Sequence, residues 1–317
     1  MPSTKSPRKG SLQFWPRKRV SRFLPSVNWK AINSGKNLKG FIGYKAGMAS
    51  VEVKDLTLNS MTKDKKIIIP ATILECPPMK IFSIRFYKNG IVAKEVLSEN
   101  LDKELKRRIK LPKEHTSKLD SIKSEDYDNV SIIAYSQAKK TEIKKKPDMA
   151  EIGLNGSLEE KMNFIKTHLN KEISLAQIFS SGDLVDFRGL TKGKGFQGPI
   201  KRFGAHLRFH KSEKGVRKIG SIGPWHPARV TFRVPMAGQM GMFTRVHYNQ
   251  KVISVGKAQD LGEKLKNLKN YGNLNTDYLI VAGSVQGVPK RPLLITATLR
   301  ISKMQKKKNY EFLEVKR

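Results

Sequence analysis

The chain has 317 residues, with 62 Lys and Arg against 27 Asp and Glu, a net charge of +35. A compact domain with that excess repels itself unless a polyanion lies beside it, and nucleic acid is the commonest polyanion. The single cysteine, Cys76, excludes an internal disulfide, and no stretch approaches the ~20 apolar residues of a membrane span.

Residues 1 to 40 hold ten Lys or Arg and no Asp or Glu. Pro2, Pro7, Pro16 and Pro25 punctuate them, with Phe14, Trp15, Phe23 and Trp29 between. Proline and charge deny this segment a core of its own. A disordered tail would be polar throughout, and this one carries two tryptophans. It reads as an extended basic arm whose aromatics pack when it docks on a partner. Arg8, Lys9, Trp15, Arg17, Lys18 and Arg19 are its candidate RNA-binding residues. Its first stretch, "MPSTKSPRKGSLQF", has no apolar h-region of a secretory signal, so a soluble, intracellular protein in a reducing compartment is expected.

From about residue 41 the pattern is globular. "KKIIIPATILEC" and "IFSIRFYKNGIV" are rich in β-branched and aromatic residues and read as strands, with turns at Pro77-Pro78 and Asn89-Gly90. Cys76 reads as a small core residue. From 97 to 128 the periodicity predicts a helix, with Leu97, Leu101, Leu105 and Ile109 on one stripe and Pro112 ending it. "SIIAYSQ" reads as a strand and "KKTEIKKKPDMAEIG" as a polar linker. Ser157 and Glu160 form a capping box ahead of a helix whose face is Leu158, Met162, Ile165 and Leu169. "ISLAQIF" continues that helical segment, and "GDLVDFRG" alternates like a strand.

Residues 188 to 233 carry twelve Lys or Arg and one acid, Glu213. Apolar periodicity is lost there and glycines recur. "KVISVG", "DYLIVAGSV" and "PLLITATLRI" then read as strands, and the tail is basic. Strands do not alternate regularly with helices, which argues against a doubly wound parallel sheet and for a small closed or nearly closed barrel. The expected plan is mainly β. A basic arm (1–40) precedes a β-barrel body (41–96 and 177–317). A mostly helical insertion (97–176) interrupts the body, and a long basic loop (190–233) leaves it.

The stretch "LTKGKGFQGPIKRF" places Gly193, Gly195 and Gly198 at the G-x-G-x-x-G spacing of a dinucleotide turn. That turn works because a helix begins at once and its free N–H groups meet the pyrophosphate. Here Pro199 follows, and "IKRFGAHLRFHKSEKG" shows no helical stripe. Glu213 lies about where a ribose-binding acid would be sought, but in a strongly basic setting. The glycines have another use: a bare backbone approaches a surface closely, and Lys192 and Lys194 supply neutralising charge along a phosphate chain.

His206 and His210 stand four apart, but Leu207 occupies the position a zinc protease gives to Glu. There is no triad signature and no carboxylate pair in an apolar setting. No enzyme, metal, cofactor or small-molecule substrate is expected. In "SIGPWHPARV" Trp225 lies between Pro224 and Pro227. A core tryptophan and a stiff tip that stacks on unpaired bases are both open readings. Arg217 and Arg229 can stack or pair with phosphate.

"GLTKGKGFQGPIKRF", "GVRKIGSIGPWHPARV" and "MAGQMGMFTRVHYNQKVISVG" together resemble the large-subunit ribosomal protein L-three family. The arm "SPRKGSLQFWPRKR" and the tip "GPWHPA" resemble its archaeal and eukaryotic members, so an archaeal-type member is expected. The resemblance implies a six-stranded translation-protein-type β-barrel whose arm and central loop penetrate rRNA. It also implies early assembly on 23S-type rRNA, neighbours among the large-subunit proteins, a cytoplasmic location, and a loop tip near the peptidyl-transferase centre that performs no chemistry. The candidate rRNA-binding residues beyond the arm are Lys192, Lys194, Lys201, Arg202, His206, Arg208, Lys211, Arg217, Lys218, Trp225, His226, Arg229 and Arg245. A non-ribosomal RNA- or DNA-binding chaperone would share the charge but would bind duplex DNA as well. A nucleotide-binding enzyme would rest on GKGFQG alone. A module for acidic proteins would leave the basic, core-less segments unexplained.

Overall fold

The computed structural model describes residues 10–112, 119 and 126–316. Arg8 and Lys9 therefore lie outside the described residues, as does part of the helix expected over 97–128. The chain divides into two units. The larger comprises Arg22–Gly189 and Arg245–Arg317, and the smaller joins the residues up to Ser21 to Leu190–Thr244.

In the larger unit the strands are β1 (Gly40–Asp55), β2 (Lys66–Cys76), β3 (Met79–Lys88), β4 (Ile91–Leu97), β5 (Asn129–Ser136) and β6 (Met149–Gly153). Helix α1 (Leu158–His168) follows, then β7 (Leu184–Leu190). The short β8 (Gly195–Gln197), α2 (Pro199–Phe203) and β9 (Gly238–Met240) belong to the smaller unit. After them come β10 (Thr244–Lys257), α3 (Ala258–Leu261), β11 (Asp277–Ala282), β12 (Pro292–Ala297), α4 (Lys303–Lys307) and β13 (Tyr310–Lys316).

The fold is mainly β. One sheet runs β12-β7-β10-β11-β2-β1-β13, and β12 also pairs with β1. Six strands thus follow one another round a closed circuit of pairings. β1 makes this possible by serving two neighbours on one side: Gly40–Tyr44 pair with β12 and Ser50–Asp55 with β13. The first seven residues of β1 and the last six of β2 are buried on both faces; their outer halves alternate. That is the pattern of strands that begin in a core and run out to its margin.

A second sheet runs β4-β3-β5-β6. Its β3–β4 turn is made by Asn89 and Gly90, both at positive φ (53° and 77°). This is the primed geometry that matches strand twist, and the sequence signals it. Tyr44, Phe86, Ile132, Phe187 and Ile295 share one core across both sheets. A second cluster gathers Val51, Ile73, Ile280 and Val315.

α1 forms where its capping box predicts, with Ser157 and Glu160 bonding reciprocally and Met162 and Ile165 buried. The helix over 97–128 does not form within the described residues. Leu97 ends β4, opposite Ser83, and Lys103–Arg107 make a short 3-10 turn. Leu105 is buried against Phe82 and Tyr135. Strand pairing claimed Leu97, and one apolar residue per turn cannot hold so basic a helix together. The 97–176 segment is therefore not mostly helical. It supplies β5 and β6 to a sheet whose other strands come from 41–96, so the expected boundary cuts through that sheet. "ISLAQIF" makes one 3-10 turn (Leu175–Gln177), and the supposed linker contains β6.

Candidate nucleic-acid interface

The arm is not one piece. Trp29 belongs to the larger unit, where Gly40 and Gly153 make room for its ring. A Cβ at Gly153 would stand 2.6 Å from the Trp29 Cβ. Residues 10 to 21 belong instead to the smaller unit.

That unit begins as a ribbon. Thr191 N donates to Phe243 O at 3.0 Å and Lys194 N to Met240 O at 2.9 Å; β8 then pairs with β9. Gly195 and Gly241 sit at positive φ (66° and 77°), and a side chain at Gly241 would collide with the Lys192 carbonyl. The glycines of GKGFQG thus serve a tightly crossed ribbon. A helix does follow Gly198, contrary to expectation, but it has five residues and Pro199 at its first position. One turn opening on a residue without an N–H is a poor pyrophosphate cradle.

Two of the candidate cations are spent inside the unit. Arg202 donates to Gln239 O at 3.0 Å, Met236 O at 2.9 Å and Arg17 O at 3.4 Å. Burial and the neighbouring Arg17 charge lower its pKa. Arg17 donates to Arg202 O at 3.0 Å and lies 4.3 Å over the Phe203 ring. Trp15 stacks on Phe203 (centroids 5.9 Å apart) and meets Phe232 edge-on at 6.0 Å. Arg208 is partly internal too, with its guanidinium on Ile219 O and its amide donating to Val216 O at 3.0 Å.

The other candidates face solvent: Lys18, Arg19, Lys192, Lys194, Lys201, His206, Lys211, Arg217, Lys218, His226 and Arg229. Trp225 is 86% exposed, edge-on to His226, which decides against a core tryptophan in this chain. Arg245 falls in the larger unit, half-buried, its carbonyl accepting from Gln286 at 3.1 Å. The structure adds residues that the sequence reading passed over. Phe196, Phe209 and Phe232 are 77%, 67% and 65% exposed among these cations. Lys214 and Arg233 are exposed with them. Aromatics interleaved with Lys and Arg were the available signal.

The larger unit's buried acids are occupied. Glu75, whose pKa burial raises, accepts from Tyr271, from Asn275 N at 2.8 Å and from Thr276 N at 3.0 Å. Asp186 accepts from Asn249 N at 2.8 Å and Leu299 N at 2.9 Å. Asp148 holds Tyr44 (2.7 Å) and Lys144. These groups carry structure, not acid–base chemistry. Among the described residues, no group of three or more His, Cys, Asp or Glu is placed to hold a metal.

Residues 1–316 match the family model of ribosomal protein L3. The chain belongs to the ribosomal protein L3 family. It is 39% identical over 307 residues to large ribosomal subunit protein uL3 of Methanocaldococcus jannaschii, spanning 93% of this chain and 91% of that protein. It is 38% identical to the same protein of Archaeoglobus fulgidus, over 93% and 92% of the two chains. The Methanosphaera stadtmanae protein is 37% identical over 94% and 93%. The family is structural, and its members are not enzymes.

Proposed function

We infer that the chain is a structural constituent of the cytoplasmic large ribosomal subunit and that its smaller unit faces 23S-type rRNA. One observation carries the second half of this reading: the smaller unit holds seventeen Lys and Arg and one acid, Glu213. Its cations alternate with solvent-facing aromatics. Affinity then comes chiefly from counterion release along many phosphates, and base stacking adds to it.

The closed circuit of six strands supports reading the larger unit as the six-stranded translation-protein-type barrel of the family. The exposure of Trp225 on a proline-flanked turn supports a tip that wedges among unpaired bases, near the peptidyl-transferase centre, without doing chemistry. Early binding during assembly and contact with neighbouring large-subunit proteins complete the reading.

The test is sedimentation of the tagged protein from native lysate at low and high salt, with sequencing of the RNA that travels with it. Co-migration with the large subunit, and large-subunit rRNA as the dominant RNA, is the expected result. A free protein, or one carrying mixed RNA and DNA, would favour the chaperone reading instead.

A further inference from the structure

From 191 to 240 Phe203 is the one buried side chain. Fifty residues of basic chain therefore have a single apolar anchor, and the arm covers it. Trp15 stacks on the ring, Arg17 lies 4.3 Å over it, and a Cβ at Gly10 would come within 2.9 Å of it. Arg17 and Arg202 each donate to the other's carbonyl. A second tie, Val20 N to Met242 O at 3.3 Å, fixes the arm to the base of the loop. Each contact joins segments some two hundred residues apart in sequence.

We propose that Trp15 and Arg17 are positioning residues: they latch the arm onto Phe203 and Arg202 in the free protein and so preorder the central loop for RNA. The proposal rests on the rRNA-binding reading above for its consequence, though not for its geometry. The physical reason is entropic. A loop without a core must be ordered by whatever it binds, and that ordering weakens binding. An anchor made before binding removes part of this cost. The anchor brings two guanidinium groups together, which repel. Carbonyl oxygens and the ring face offset that repulsion. Added salt screens it further, so salt should tighten the latch while it weakens RNA binding.

The test uses the full chain as wild type, Trp15→Ala and Trp15→Phe. Hydrogen exchange of the free protein reads the latch directly. Trp15→Ala should lose protection across 194–204, where Lys194, Arg202 and Gly204 donate backbone bonds. Trp15→Phe should keep it, because stacking survives and the removed indole N–H is a buried donor without a partner. Binding to an archaeal large-subunit rRNA transcript reads the consequence. Trp15→Ala removes no charge, yet affinity should fall roughly tenfold, the equivalent of about 1.4 kcal/mol. The slope of log K against log salt should not shrink, because the ordered complex neutralises the same phosphates.

Unchanged protection in Trp15→Ala would overturn the latch. Lost protection with unchanged affinity would overturn the positioning role and leave a local packing contact. If the wild type ignores the transcript, the rRNA reading fails, while the exchange data still judge the latch.

Discussion

Asp55 closes the turn between β1 and β2 by accepting from Thr57 N at 2.9 Å, Ser60 Oγ at 2.8 Å and Thr62 Oγ1 at 2.6 Å. Burial opposes its charge, but the hydrogen bonds from Thr57, Thr62 and Ser60 outweigh burial and hold the carboxyl well below the usual carboxylate range. A pKa depressed by folding contributes stability above the unfolded value of ~3.9, and that contribution fades as pH falls below it. Asp55→Asn should therefore cost about 1–3 kcal/mol at neutral pH. The gap to wild type should narrow in acid. Denaturant unfolding of both proteins at pH 7 and pH 3 measures it; an equal gap at both values would refute the argument. Trp225 makes the opposite case. Its side chain packs on little, so Trp225→Ala should shift stability by no more than ~0.5 kcal/mol. A larger loss on thermal unfolding would return Trp225 to the core reading.

At the scale of elements, Gly153 of β6 is the test of where the arm divides. Its missing Cβ leaves space for Trp29, whose carbonyl also accepts from the buried Lys39 at 3.2 Å. Gly153→Ala should expel the indole and cost about 1–3 kcal/mol, the usual penalty of overpacking. The check is the unfolding free energy together with exchange protection over 29–40. If both match wild type, Trp29 is not seated there. The same glycines explain what the sequence concealed. β2, β11 and β12 were legible because β-branched residues fill both of their faces. β1 was not, because Gly40, Gly43 and Gly47 and two lysines break its apolar run. Gly40 makes room for Trp29, and Gly43 makes room for Cys76. β13 was hidden behind the lysines of "KMQKKKNYEFLEVKR". The basic loop was legible from composition alone. Its partnership with residues 10 to 21 was not, since no local pattern joins Arg17 to Arg202, 185 positions away. Nor does composition tell an exposed cation such as Lys194 from a consumed one such as Arg202.

For the whole molecule the excess of +35 matters less than its distribution. The larger unit carries forty-five Lys and Arg against twenty-six acids, and many of its cations are partnered. Arg85 meets Glu95 and Glu151, both at 2.9 Å, and Lys264 meets Glu314 at 2.6 Å. The smaller unit has only Glu213 to set against seventeen cations, so its field is open to an external polyanion. Counterion release turns this difference into a measurable one. Each phosphate that a cation neutralises contributes roughly −0.7 to −0.9 to the slope of log K against log salt. Lys192→Ala and Lys194→Ala, both on the exposed ribbon, should each flatten that slope by about this amount, and should do so for any rRNA sequence that the loop can line. Lys264→Ala should leave the slope unchanged, because its charge is already answered by Glu314. Titrating the three variants against one large-subunit rRNA transcript over a range of salt concentrations separates the cases. If Lys264→Ala flattens the slope as much as Lys192→Ala does, the RNA reads total charge rather than one face, and the smaller unit is not the interface.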